Sequence, residues 1–150
     1  MMSQQHRELS FIIVNWNGGE ALEACLDSVA AACQGVEAEV VLVDNASTDG
    51  SGERAAARPL AGQAHVKLIR NPENVGFARA ANQALSEATG RMLVLLNPDA
   101  QIEEEALTGL REVMRRDGRI GIAGCGSEDA SGRQVPAHEL SFPGGRGSSD

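Results

Sequence analysis

Apolar and polar positions fall in blocks along this chain, and the blocks switch between two periods. Leu9 to Val14 is a short apolar run that stops at Asn15-Trp16-Asn17-Gly18-Gly19. Its length and aliphatic content predict a buried strand. Ala21 to Ala32 then sets Leu22, Cys25, Leu26 and Val29 at helical spacing, with Gly35 placed to end the helix. The alternation repeats. Strands are predicted over Glu39–Val43, Val66–Ile69 and Met92–Leu96, and helices over Ser51–Ala57, Gly76–Ala88 and Glu103–Arg116. In the Gly76–Ala88 helix, Phe77, Ala81, Ala84, Leu85 and Ala88 share one face, and Gly90 is placed to close it. The last helix has acids at its start and Arg111, Arg115 and Arg116 near its end, as the helix dipole favours. A fifth strand is predicted over Ile120–Ala123.

Strands that alternate with helices pair in parallel through right-handed crossovers. The predicted fold is therefore α/β, an open, mostly parallel, doubly wound sheet over residues 8–126. From Ser127 to Asp150 the chain turns to Ser, Gly, Pro and Asp, with Leu140 and Phe142 as the apolar bulk. That stretch reads as a tail, partly ordered at most.

Composition narrows the function. The 150 residues are 42% hydrophobic and 23% charged, which suits one globular domain with a real core. A net charge of -8 argues against nucleic acid and against anionic membrane surfaces. Lys67 is the one lysine, so no phosphate loop of the G-x-x-x-x-G-K type exists. His6, His65 and His138 are scattered, which removes helical zinc-protease chemistry. No G-x-S-x-G stretch occurs, and no G-x-G-x-x-G follows the first strand. Cys25, Cys33 and Cys125 are odd in number and lack C-x-x-C spacing, the pattern of reduced thiols in a cytoplasmic protein. Met1 to Ser10 has no apolar signal core, and Met92–Leu96 is too short to cross a membrane.

Open α/β sheets bind ligands beyond the carboxyl ends of their strands. Those ends here carry Asn15 and Asn17, Asp44 and Asn45, Asn71 and Asn74, then Asn97 and Asp99. Taken singly, each is an ordinary turn or helix-cap residue. Four consecutive polar strand ends point instead to a site. Amides supply donors and acceptors without charge, and a carboxylate can hold a hard cation.

The order Ile12-Ile13-Val14-Asn15-Trp16-Asn17, Val43-Asp44-Asn45-Ala46-Ser47-Thr48-Asp49-Gly50-Ser51, Asn71-Pro72-Glu73-Asn74-Val75-Gly76-Phe77-Ala78-Arg79-Ala80-Ala81-Asn82 and Leu96-Asn97-Pro98-Asp99 is similar to the family 2 glycosyltransferases of the GT-A fold. The N-P-D triplet resembles their rhamnosyltransferase-like branch. The likeness runs from about residue 8 to 143 and covers the nucleotide-sugar half of such an enzyme. It implies that Val14, Asn15 and Asn17 line a nucleobase pocket and that Asp44 meets the base. It implies that Asn74, Gly76 and Arg79 lie near base and diphosphate, with Asn82 supporting their helix. Asp99 would hold Mg²⁺ or Mn²⁺, and Asn97 stands where an acid is common. The donor implied is dTDP-rhamnose or a UDP-sugar, and the acceptor a glycan or lipid-linked glycan. A lipid-linked acceptor would bring the chain to the inner face of a membrane. The family's catalytic base belongs to a later segment with no match here, and Glu128, Asp129 and Glu139 do not resemble it. Two other readings stay open. One is a module that binds nucleotide without transfer. The other is a fragment whose exposed sheet is covered by a second copy or another protein.

Overall fold

The computed structural model describes residues 7–60 and 64–135. The chain divides into two units, Met1–Thr108 and Gly109–Asp150. The first contains β1 (Leu9–Asn15), α1 (Gly19–Ala32), β2 (Ala38–Asp44), α2 (Ser51–Ala57), β3 (His65–Arg70), α3 (Phe77–Glu87) and β4 (Met92–Leu95). α4 (Glu104–Arg116) begins in the first unit and ends in the second.

The four strands are parallel, in the order β3-β2-β1-β4. Both faces of the two central strands are covered. Leu9, Phe11 and Ile13 of β1 and Val40 and Leu42 of β2 pack with Leu22, Cys25, Leu26 and Val29 of α1, Ala55 of α2 and Leu107 of α4. The intervening residues Ile12, Val14, Val41 and Val43 pack on Ala80, Ala81 and Ala84 of α3. This two-sided burial is why β1 and β2 are apolar at successive positions and do not alternate. It also makes the sheet doubly wound, as the sequence predicts. The chain runs outward from β1 to β2 and β3, then crosses back over the other face to β4. The direction reverses between β1 and β4, the switch point at which such sheets open a crevice.

Two predicted faces differ in detail. Phe77 and Leu85 of α3 are 51% and 41% exposed, and the buried stripe is Ala80, Ala81 and Ala84. Alanines let α3 lie close on β1 and β2, which turns the bulky residues outward. Met92 to Leu96 is an edge segment and not a fully buried strand. Met92, Val94 and Leu96 pack into the core, while Leu93 and Leu95 are 52% and 59% exposed.

The amino edge of the sheet is tied by a buried carboxylate. Glu39 Oε1 accepts from Ser10 Oγ at 2.6 Å, Thr89 N at 2.7 Å and Thr89 Oγ1 at 2.9 Å. Burial alone would push this carboxyl up. The Ser10 hydroxyl, the Thr89 amide and hydroxyl, and the Arg7 charge outweigh it and hold it below its ordinary 4.5. Gly90 is needed here for closeness rather than for closing α3, which ends at Glu87. A Cβ at Gly90 would lie 2.5 Å from the Ser10 backbone nitrogen.

In the second unit, β5 (Ser127–Glu128) and β6 (Gln134–Val135) form a small antiparallel pair. Asp129 Oδ1 braces its turn, accepting from Ser131 N at 2.9 Å and Arg133 N at 3.1 Å. The strand predicted over Ile120–Ala123 does not form, and Ile122 is 89% exposed. Glycines at 118, 121 and 124 dilute its strand preference, and no described strand pairs with it. Leu140, Phe142 and the rest of the predicted tail beyond Val135 lie outside the described residues.

Candidate functional site

Asn15 and Asp44 end β1 and β2, and they are register partners in the ladder. Both are buried. Asn15 Nδ2 donates to Asp44 Oδ1 at 2.8 Å, to Ser51 Oγ at 2.8 Å and to Ser47 Oγ at 3.1 Å. Its Oδ1 accepts from Gly18 N at 3.1 Å. Ser47 Oγ donates to Asp44 Oδ1 at 2.6 Å, and Ser47 N donates to Asp44 Oδ2 at 3.2 Å. The loop after β1 is thereby sewn to the loop after β2.

Further stitches lie nearer solvent. Asn17 N donates to Ser47 Oγ at 2.8 Å, and Asn17 Oδ1 accepts from Thr48 N at 2.8 Å. Gly19 N donates to Asp49 Oδ2 at 3.1 Å. The Ser51 hydroxyl and amide, with Gly19 N and Arg54, hold the Asp49 carboxyl below its ordinary 3.8. Two non-glycine residues in this pair of loops take left-handed backbone, Asn17 at φ 52° and Ala46 at φ 65°. Such conformations gather where surrounding structure over-determines the chain, as at binding loops.

Asn45 shapes the third loop. Its side chain is 2% exposed. Asn45 Nδ2 donates to Asn74 Oδ1 at 2.8 Å, and Asn45 Oδ1 accepts from Val75 N at 3.0 Å and Asn71 Nδ2 at 3.2 Å. Asn71 and Gln83 exchange a reciprocal amide pair at 2.8 and 2.9 Å, which pins the loop to α3. Asn74 Oδ1 also accepts from Gly76 N at 2.9 Å, and Gly76 takes φ 82° where α3 begins.

Beside β1, Leu96 N donates to Ile12 O at 3.1 Å and carries the chain into Asn97-Pro98-Asp99. Asn97 and Asp99 are exposed. Beneath them, Cys25 Sγ donates to Asn97 O at 3.5 Å. Burial pushes that thiol up to about 12, and the Asp99 charge adds to the rise. It is therefore a neutral donor at ordinary pH and no nucleophile.

The predicted residues thus fall into two groups. Val14, Asn15 and Asp44 are buried, Val14 against α3 and the other two as the brace between loops. Asn17, Asn74, Gly76, Arg79, Asn82, Asn97 and Asp99 are exposed. Hydrogen bonds join Asn15 to Asp44 and Asn74 to Gly76, while the side chains of Arg79 and Asp99 stand apart from both pairs. Sequence reasoning gave Asn45 and Asn71 only as strand-end polar groups and missed Ser47, Ser51 and Gln83. The Asn at 45 beside Asp44, and the small hydroxyls of Ser47, Thr48 and Ser51 after it, are the signals that the sequence offers. Trp16, which could have filled the core, is 61% exposed at this same edge.

Among the described residues, no three His, Cys, Asp or Glu side chains converge to cage a metal ion. One exposed carboxylate at the crevice fits a different arrangement. Mg²⁺ and Mn²⁺ bound with a diphosphate need only one or two protein carboxylates, the rest of the shell being phosphate oxygens and water. Asp99 suits that part.

An open parallel sheet with its polar loops gathered at the carboxyl edge, beside the switch point, places the chain among the α/β proteins, which bind ligands at that edge. The profile of glycosyl transferase family 2 matches residues 10–142, and the chain belongs to that family. The dolichol-phosphate mannosyltransferase of Pyrococcus furiosus is 31% identical over 128 residues, covering 85% of this chain and 35% of that protein. The undecaprenyl-phosphate 4-deoxy-4-formamido-L-arabinose transferase of Sodalis glossinidius is 30% identical over 112 residues, covering 73% of this chain and 34% of that protein. The mannosyltransferase PcManGT from Pyrobaculum calidifontis, solved with GDP-Man and Mn²⁺, superposes with a TM-score of 0.61 at 30% identity, over 74% of this chain and 33% of that one. TarS of S. aureus superposes at 0.66 and 23% identity over 87% of this chain and 38% of that one, which shows the shared GT-A-like fold. The chain spans about a third of the length of the curated relatives it matches.

Proposed function

We propose that this chain carries the donor-binding part of a glycosyltransferase that draws a sugar from a nucleoside diphosphate with a divalent metal. The observation that carries the reading is the sewn set of loops at the carboxyl edge of β1, β2 and β3, with the exposed Asp99 following β4 on the other side of the switch point. Asn17, Asn74, Gly76, Arg79 and Asn97 are the contacts for base and diphosphate. Val14, Asn15 and Asp44 form the floor beneath them, and exposed Trp16 offers a ring face to the base. Asp99 holds Mg²⁺ or Mn²⁺, which when bound neutralises charge on the departing diphosphate. The GDP-Man and Mn²⁺ held by the Pyrobaculum enzyme support a nucleotide-sugar donor and a metal.

The N-P-D triplet favours dTDP-rhamnose or a UDP-sugar as donor. The lipid-phosphate acceptors named in two relatives support a lipid-linked or glycan acceptor, and work at the inner face of a membrane. No helix among the described residues is long and apolar enough to cross one. Leu93 and Leu95, open on the edge strand, support a second copy or another protein surface over that face. A second reading is a module that binds nucleotide without transferring sugar. Turnover of a nucleotide-sugar above a protein-free control rejects that second reading.

Thermal melts with dTDP, UDP and GDP, each with and without Mn²⁺, test the first. A ligand at ~100 times its dissociation constant adds about 2.7 kcal/mol to the folded state. The expected result is a metal-dependent rise with one nucleotide, lost in Asp99→Ala while the unliganded melt stays put. Asp99→Ala that keeps the metal-dependent rise overturns the metal assignment. No rise with any nucleotide overturns the donor site.

A further inference from the structure

We propose that one turn of α1, through Cys25 and Ser28, is the template that sets the segment carrying Asp99. The inference rests on the donor-site reading above and names the residues that position its metal-binding carboxylate. Cys25 and Ser28 stand three residues apart, so they share a helix face. Cys25 Sγ donates to Asn97 O at 3.5 Å, and the same carbonyl accepts from Ala100 N at 3.1 Å, closing the turn that contains Asp99. Ser28 Oγ accepts from Ile102 N at 3.0 Å and donates to Cys25 O at 2.7 Å. The segment from Asn97 to Ile102 is thereby held at both ends by a single turn of helix.

Apolar anchors lie at the same two ends. Leu96 and Ile102 both pack into the cluster that α1 covers. Asp99 lies between the anchors and is exposed. Its reach is therefore set by the backbone on either side, with only side-chain rotation left free. Cys25 is fully buried, so the thiol acts as a donor from below and is no metal ligand. Without Ser28 the amide of Ile102, itself 9% exposed, loses its partner, a cost that favours local opening of the segment.

The test uses Ser28→Ala, Cys25→Ala and Cys25→Ser in the full chain, with two readouts. The first is amide hydrogen exchange by NMR without metal or nucleotide. Ile102 should exchange about tenfold faster in Ser28→Ala, and Ala100 faster in Cys25→Ala, as for one lost hydrogen bond. Cys25→Ser restores a donor and should stay near wild type. The second is the affinity for dTDP and UDP with and without Mn²⁺. The gain that Mn²⁺ confers should fall by about tenfold in Ser28→Ala and Cys25→Ala. Metal-free affinity should fall less than the Mn²⁺ gain does, as Cys25 and Ser28 bond the segment of Asn97 to Ile102 and none of the loops after β1, β2 and β3. Ser28 is half-buried, so Ser28→Ala preserves both readouts even where Cys25→Ala costs folding.

Unchanged exchange at Ala100 and Ile102 overturns the template. Equal loss of affinity with and without Mn²⁺ reduces both residues to packing and overturns the positioning role. Cys25→Ser behaving as Cys25→Ala removes the thiol from it. A wild-type chain with no Mn²⁺ gain rejects the donor-site reading and the purpose given to Asp99, while the exchange data decide the template on their own.

Discussion

Asn45→Ala removes a side chain that three neighbours share. Its amide group is donor to Asn74 Oδ1 and acceptor from Val75 N and Asn71 Nδ2, at 2.8, 3.0 and 3.2 Å. Asn71 keeps its pair with Gln83, and Asn74 keeps Gly76 N, so neither is orphaned. Val75 N–H keeps no such alternative in the described geometry. Three neutral bonds at ~1 kcal/mol each, at a site 2% exposed, make the loss about 3 kcal/mol. At ~2–4 °C per kcal/mol for a domain of this size, Tm falls by about 6–12 °C. Asn74→Ala gives up two bonds, from Asn45 Nδ2 and Gly76 N, at an exposed position and should cost about 1–2 kcal/mol. Because one bond is common to both residues, the double variant should be milder than the sum by ~1 kcal/mol. Circular dichroism melts of the four proteins supply the cycle. A drop under about 2 °C for Asn45→Ala, or strict additivity with Asn74→Ala, refutes the view that Asn45 organises this loop.

Three further outcomes follow from single positions. Ala46→Gly should raise Tm by about 2–4 °C, because a Cβ at φ 65° costs ~1 kcal/mol; a fall would show that this methyl group packs more than its strain costs. Gly52→Ala places a Cβ 2.7 Å from Asp44 Cγ and Oδ1 and should destabilise the chain by about 1–3 kcal/mol, with nucleotide affinity falling alongside; an unaltered melt would disprove the crowding. Glu39 is held below 4.5 in the folded chain, so its contribution is whole above that pH and drains away as pH falls through the lowered value. Glu39→Gln should therefore flatten the acid limb of Tm against pH below about 4.5, and a limb of unchanged slope counts against the buried brace.

Much of the fold was legible because β1 and β2 are covered on both faces. A strand packed on two sides is apolar at successive positions, as Phe11 to Val14 and Val40 to Val43 are. The edge was harder. Met92 to Leu96 is as apolar as a central strand, yet Leu93 and Leu95 face outward. Composition reports what a strand could bury, and the neighbour decides what it does bury. The same limit misplaced Ile120–Ala123, whose residues suit a strand that finds no partner among those described. Strand-end position places these residues at one edge, as the parallel topology requires. It could not rank them. Asn15 and Asp44 resemble ligand-facing groups in sequence but turn inward to each other at 2.8 Å. Gln83 sits in a helix twelve residues from Asn71, and no local pattern reveals their amide pair.

That inward turn bears on how an acidic chain could hold an anionic ligand. The net charge is -8, and a diphosphate brings more negative charge to the carboxyl edge. Asp44 lies nearest the middle of that edge, but its oxygens accept from Asn15, Ser47 Oγ and Ser47 N, so its charge is met by donors from the protein itself. Asp49 is similarly engaged by Ser51 and Gly19 N. The groups left outward after β1 and β3 include the amides of Asn17 and Asn74 and the carboxylate of Glu73, with the guanidinium of Arg79 on the first turn of α3. Across the switch point Asn97 keeps an amide beside Asp99, leaving that carboxylate as the single acid of the triplet. An ion held there must draw most of its shell from the diphosphate and water, since one carboxylate cannot cage it. Metal and nucleotide should then bind as a unit, each weak without the other, and the reciprocity of linkage requires the gain to be equal in both directions. The acids at this edge thus differ in setting: Asp44 and Asp49 spend their charge on donors of the loops they build, Glu73 stays in solvent, and Asp99 is the acid that the proposed reading reserves for the ligand.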